Sequence, residues 1–140
     1  MGGERLRRAL YAHDNEEEEI SRVCNVDGTF SEWHTVGKDF EVIPIPGHTS
    51  GATAFLWDTG EHRILFTGDS VKLEGDEWAA VPLDPTARDD YVLSLELIRG
   101  LDFDVLAPWA ASLHGRYYAP TDESDARRRI DKILKRMRSQ

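Results

Sequence analysis

The stretch Val42–Ser70, VIPIPGHTSGATAFLWDTGEHRILFTGDS, decides how the rest of the chain is read. Three short apolar runs, Phe40 to Pro44, Ala54 to Trp57 and Ile64 to Thr67, are rich in the β-branched and aromatic residues that buried strands favour. Asp58-Thr59-Gly60-Glu61 separates the last two runs and is a turn signal, so the spacing predicts a hairpin. His48 follows Pro46-Gly47 and Asp69 follows Thr67-Gly68, each just past the end of an apolar run. Loops after strands are where a rigid sheet presents reactive side chains, which makes this imidazole and carboxylate a candidate metal or catalytic pair. The adjacent glycines permit the close backbone approach that a loop around a small ion needs. A turn histidine and a capping aspartate with no ligand are the other reading of the same residues.

Outward from this stretch, Trp78 to Val81 is a further strand candidate, and Pro82 with Pro85 ends the pattern. A helix is expected over Thr86 to Arg99, with Tyr91, Leu93, Leu95, Leu97 and Ile98 as its apolar residues and Gly100 as its stop. Phe103 to Ala107 reads as a buried strand and Pro108 to Pro120 as a loop. Thr121 then caps a last helix with the stripe Ala126, Ile130, Ile133, Leu134 and Met137 and a basic end that suits the helix dipole. Upstream, a helical fragment from Glu4 to Arg8 feeds a short strand, Ala9 to Ala12. DNEEEEISRVC from Asp14 reads as a helix whose stripe is Ile20, Val23 and Cys24, and Val26 to Thr35 as irregular. Cys24 is the only cysteine, so no internal disulfide is possible, and it is expected in the core.

Strands and helices in the order β-β-β-α-β-α describe an α+β chain with a mixed sheet and helices on one face. The other face must also meet something. The first thirty residues are too few to cover it, so a second chain is expected there.

At 140 residues with 40% hydrophobic content, the chain is read as one domain, 1–140, able to bury about two thirds of its unfolded surface. No run approaches the ~18 apolar residues of a membrane span, and MGGERLRRAL lacks the apolar segment of a signal peptide, so a cytoplasmic protein is expected. The net charge of −9 repels phosphate backbones and argues against nucleic acid as a partner.

The motifs PGHTSG, with His48, and TGD, with Asp69, resemble those of the metallo-β-lactamase superfamily of metal-dependent hydrolases, over roughly Glu32 to Lys135. The resemblance implies half of an αββα sandwich, the C-terminal half. It also implies that His48 and Asp69 are ligands to a metal, zinc or less readily iron, which activates water against a small-molecule carbonyl, thioester or phosphoester. Two departures stand beside it. The family's HxHxDH motif is absent: His13 precedes Asp14-Asn15-Glu16, and His34 precedes Thr35-Val36-Gly37. Where the family places its last histidine, this chain has VLAPWAASLHG, with Trp109, Ala110 and Ala111 in that region and His114 slightly later. His114 is a displaced third ligand or a loop histidine with no metal role.

Catalytic zinc takes three protein ligands and an open position, so His48 and Asp69 alone are too few. With His114 they would form a two-histidine, one-carboxylate set. The expectation is therefore a hydrolase-like chain with an incomplete metal site, a fragment or a degenerate form. The alternative is a non-catalytic module that associates with itself. Because the family's two halves are related, the resemblance implies that a homodimer through the open sheet face could imitate the whole sandwich, unless a missing N-terminal half covers that face. Among weaker candidates, His62 is placed in an exposed turn and Glu74, Asp76 and Glu77 in a polar loop. Thr49 and Ser50 satisfy turn amides or orient the ligands. Trp57, Trp78 and Trp109 are large enough to dominate the core, although Trp78 and Trp109, like Tyr117 and Tyr118, could line a pocket.

Overall fold

The computed structural model describes residues 9–109 and 117–139. Its main sheet contains β3 (His34–Val36), β4 (Phe40–Pro44), β5 (Thr53–Asp58), β6 (Arg63–Gly68), β9 (Val105–Pro108) and β10 (Ala119–Pro120), in the spatial order β10-β9-β6-β5-β4-β3. β6 and β9 run parallel and the other neighbours antiparallel, which makes the sheet mixed as expected. The parallel pair requires a crossover. It is made by the hairpin β7 (Val71–Glu74) and β8 (Glu77–Ala80), then helix α2 (Arg88–Arg99).

Side chains alternate along each strand, so residues directly opposite one another across the sheet share a face. Leu56, Leu65 and Leu106 form one such row, each at most 2% exposed. Against this face pack Tyr91, Leu95 and Ile98 of α2, together with Ala126, Ile130, Ile133, Leu134 and Met137 of α3 (Glu123–Arg138). The expected α3 stripe is buried in full. Asp122 rather than Thr121 caps this helix, its side chain accepting from the Asp125 N–H. β7 and β8 add Val71, Leu73 and Trp78 to the same core.

The opposite face carries two apolar rows. Val36, Phe40, Trp57, Ile64 and Val105 form one, and His34, Val42, Phe55, Phe66 and Ala107 the other. Above the second row stand β1 (Tyr11–His13) and β2 (Gly28–Phe30), a parallel pair outside the main sheet, with the short helix α1 (Glu17–Ser21) between them. A cavity of about 890 Å³ lies between them and the sheet; His13, Phe30, Val42 and Phe55 are among its walls.

Several expectations are corrected. Residues 26–35 are irregular only in part, since β2 and the start of β3 lie there, held by backbone pairing that needs no apolar run. The helix after Asp14 begins as a 3-10 turn and ends at Ser21, so Val23 and Cys24 fall beyond it and Cys24 is exposed rather than buried. Trp57 lies on the open face at 40% exposure, because it alternates with the inward Leu56. The helix expected from Thr86 starts at Arg88 after a Pro85–Ala87 turn, and Leu93 faces outward while Ser94 faces in. The fragment Glu4 to Arg8 lies outside the described residues. Among the described residues, no helix is long and apolar enough to cross a membrane.

Candidate metal centre

His48 sits in the loop between β4 and β5, a loop closed by the Ile45 N–H donating to the Ala52 carbonyl. Gly47, one residue earlier, has φ +151°, a backbone region that a side chain rarely tolerates. A Cβ at Gly47 would lie 2.5 Å from Cγ of Tyr91, so the glycine lets this loop rest directly on α2. One turn further along the helix, Ser94 Oγ donates to the Pro46 carbonyl at 2.7 Å. Asp69 follows Gly68, whose φ of +56° turns the chain out of β6, and the Ser70 N–H donates back to the Thr67 carbonyl.

Nδ1 of His48 lies 2.7 Å from the Val81 carbonyl. A carbonyl only accepts, so Nδ1 carries a proton, and whenever the ring is neutral Nε2 presents its lone pair. That Nε2 lies 3.9 Å from Oδ2 of Asp69, with the imidazole 15% and the carboxylate 47% exposed. The separation is too long for a hydrogen bond. Two electron-pair donors thus face one another across a gap suited to a cation, a water or a second imidazole proton.

Tyr91, 2% exposed, lies behind both residues. Its hydroxyl accepts from the Val81 N–H at 2.9 Å and donates to the Ser70 carbonyl. Burial pushes its phenol up to about 12; the hydrogen bond from Val81 opposes that shift and the Asp69 charge adds to it. The opposite side of the His48 loop is held by the 3-10 turn Asp14–Glu16. Thr49 Oγ1 donates to Glu16 at 3.0 Å, Asn15 Nδ2 donates to the Ser50 carbonyl at 3.2 Å, and Glu16 packs on Gly51 where a Cβ would stand.

The structure therefore brings His48 and Asp69 together, while His114 lies outside the described residues. His13 and His34 line the same cavity. Nδ1 of His13 accepts the Asn15 N–H, and Nδ1 of His34 lies 2.9 Å from the Glu32 carbonyl. No group of three or more His, Cys, Asp or Glu side chains suited to a metal occurs among the described residues. Trp109, at 76% exposure, is not a core residue; it lines the cavity, and its backbone N–H donates to the Gly68 carbonyl. His62 is exposed as expected, but its ring lies 3.0 Å from Asp104. Nothing in the residue types of Val81 and Glu16 marks them as contributors to the site. A tyrosine on a buried helical stripe is the one signal that pointed there, because its hydroxyl must find a partner.

The model of the metallo-beta-lactamase superfamily matches residues 9–110. Among solved structures, the MIM-2 metallo-beta-lactamase is 16% identical, with a TM-score of 0.66 over 94% of this chain and 58% of its own. GOB-18 from Elizabethkingia meningoseptica, also 16% identical, gives 0.57 over 94% and 61%. BJP-1 of Bradyrhizobium japonicum, described as a subclass B3 metallo-beta-lactamase, is 15% identical and gives 0.58 over 94% and 62%. The chain thus spans less than two thirds of each of these structures. A search of curated proteins found no match. With the family model covering most of the chain and the mixed sheet carrying the same architecture, the chain belongs to the metallo-β-lactamase superfamily.

Proposed function

We propose that this chain is a hydrolase-like member of the superfamily with an incomplete metal site, a fragment or degenerate form, in which His48 and Asp69 are two of the ligands. The observation that carries this reading is the orientation of the His48 ring, whose Nε2 lone pair faces a carboxylate oxygen at 3.9 Å. A tetrahedral zinc with bonds near ~2.0–2.1 Å sets its donor atoms about 3.4 Å apart, so a shift of roughly half an ångström would fit the pair to the ion. Imidazole and carboxylate suit zinc, and suit iron as well. When bound, such an ion supplies Lewis acidity and activates water for attack on a small-molecule substrate. Two donors remain short of a catalytic set, and His114 is the third that this reading proposes.

The test is zinc and iron content per chain after equilibrium dialysis, in the wild type, His48→Ala and Asp69→Ala. Near-stoichiometric metal, lost in both variants, is expected. Metal no higher than in the two variants would end the catalytic reading of this chain and leave the second one. In that second reading the chain is a non-catalytic module associating with itself through the uncovered sheet face, where Val36 at 54% and Trp57 at 40% exposure present an apolar surface.

A further inference from the structure

We propose that Tyr91 is a positioning residue whose hydroxyl holds His48 and Asp69 in one mutual geometry. The proposal rests on reading that pair as metal donors. The His48 ring proton goes to the Val81 carbonyl, the Val81 N–H goes to the Tyr91 hydroxyl, and the hydroxyl proton goes to the carbonyl of Ser70, the residue after Asp69. The same side chain supports Gly47, the residue before His48, leaving no room for a Cβ between them. One phenol therefore touches the segment before the histidine, the segment after the aspartate, and the residue that fixes the histidine tautomer.

Both backbone partners of the hydroxyl depend on it. Because Tyr91 is buried, Phe in its place preserves the ring contact with Gly47 but leaves the Val81 N–H and the Ser70 carbonyl without this partner. Val81 is then free to shift, and the His48 ring loses the acceptor that keeps its proton on Nδ1. Burial, with the Asp69 charge adding to it and the Val81 hydrogen bond opposing it, pushes the phenol up to about 12, so the hydroxyl keeps the proton it donates to Ser70.

The experiment compares wild type, Tyr91→Phe and Ile98→Val, the last removing one methyl group from the same buried helix face without touching the network. Two quantities are read: cobalt(II) affinity from its visible absorption, and the ¹⁵N spectrum of the His48 imidazole without metal. Removing the outer hydrogen-bond partner of a metal ligand lowers affinity by about 10–100-fold. Tyr91 stands one hydrogen bond beyond that partner, the Val81 carbonyl, so Tyr91→Phe is expected to lose affinity at the low end of the range, about 10-fold, and to shift the imidazole spectrum away from the single Nδ1–H tautomer, while Ile98→Val changes neither. Tyr91→Phe with wild-type affinity and an unchanged tautomer would overturn the proposal.

Should the wild type bind no cobalt, the donor-pair reading fails and the imidazole spectrum alone decides. A tautomer lost in Tyr91→Phe then sustains the positioning role, and a tautomer kept overturns it. If Tyr91→Phe does not fold, 3-fluorotyrosine at position 91 keeps the ring and hydroxyl while changing the hydrogen-bond strength. A His48 resonance that shifts with it supports the role, and one that does not move refutes it.

Discussion

Gly47→Ala tests whether the glycine before the histidine is required by the fold. At φ +151° an alanine is strained, at about 1–3 kcal/mol for a residue held in a sparsely populated region. The new Cβ would also lie 2.5 Å from Cγ and 2.6 Å from Cα of Tyr91, where carbon atoms ordinarily meet at ~3.5–4.0 Å. One of those atoms is backbone and the other belongs to a ring root that is 2% exposed, so neither yields easily. Overpacking of this kind adds roughly 1–3 kcal/mol, for a total of ~2–6 kcal/mol. At about 2–4 °C per kcal/mol for chains slightly larger than this one, the melting temperature should fall by roughly 5–20 °C. Gly60→Ala is the control: its φ of +93° carries strain, but nothing lies within 4 Å of the added methyl. Urea unfolding followed by tryptophan fluorescence should show Gly47→Ala well below Gly60→Ala, and equal midpoints would refute the steric argument.

Two further predictions concern charge and association. Asp125 is desolvated, which pushes its carboxyl up, but hydrogen bonds from Thr121, Arg128 and Arg129 outweigh this and hold it below its ordinary value of 3.8. Its contribution to stability is therefore complete above that value and is lost as pH falls through the lower folded one. Urea midpoints of the wild type should drop across this acid window more steeply than those of Asp125→Asn; parallel profiles would show that Asp125 has no such role. For the open face, burial of several hundred Å² of apolar surface at ~25 cal/mol per Å² contributes several kcal/mol per chain against an association cost of ~4–15 kcal/mol. Light scattering should accordingly show a homodimer whose population rises with concentration from the micromolar range, and a monomeric mass up to hundreds of micromolar would rule it out.

What the sequence disclosed depends on where the information lies. The strands Phe40–Pro44, Thr53–Asp58 and Arg63–Gly68 were legible as short apolar runs because both faces of the sheet are apolar, and the stripe of α3 because one-sided burial imposes a helical period. The stripe of α2 was legible only in part: Tyr91, Ser94, Leu95 and Ile98 follow helical spacing, whereas Leu93 is apolar but out of phase. β2 and β3 escaped because GTF and HTV, held by backbone pairing and by the contact of the Phe30 and His34 rings, are too short and mixed in composition to carry a strand signal. Cys24 was misplaced because a helix of five residues ends before its apparent stripe does. The position of His48 and Asp69 past the ends of strands was legible because the Pro-Gly and Thr-Gly pairs mark those ends. The support of Tyr91 and Val81 was hidden because it consists of hydrogen bonds to backbone groups, which carry no side-chain signature.

The open row of the sheet and the proposed donor pair lie on the same side of the fold. The row His34, Val42, Phe55, Phe66 and Ala107 passes beneath the cavity that His48 and Asp69 also line. β1 and β2 already stand over that row, so a body on the neighbouring open row, Val36, Phe40, Trp57, Ile64 and Val105, meets the cavity at Val36, which lines it as well. Any coupling between the two places is reciprocal: whatever factor a metal adds to association, association adds to metal affinity. Repeating the light-scattering series with zinc separates the two readings of this chain. A dimer strengthened by zinc joins the surface to the site. Identical association in both conditions makes the face an interaction surface independent of the pair.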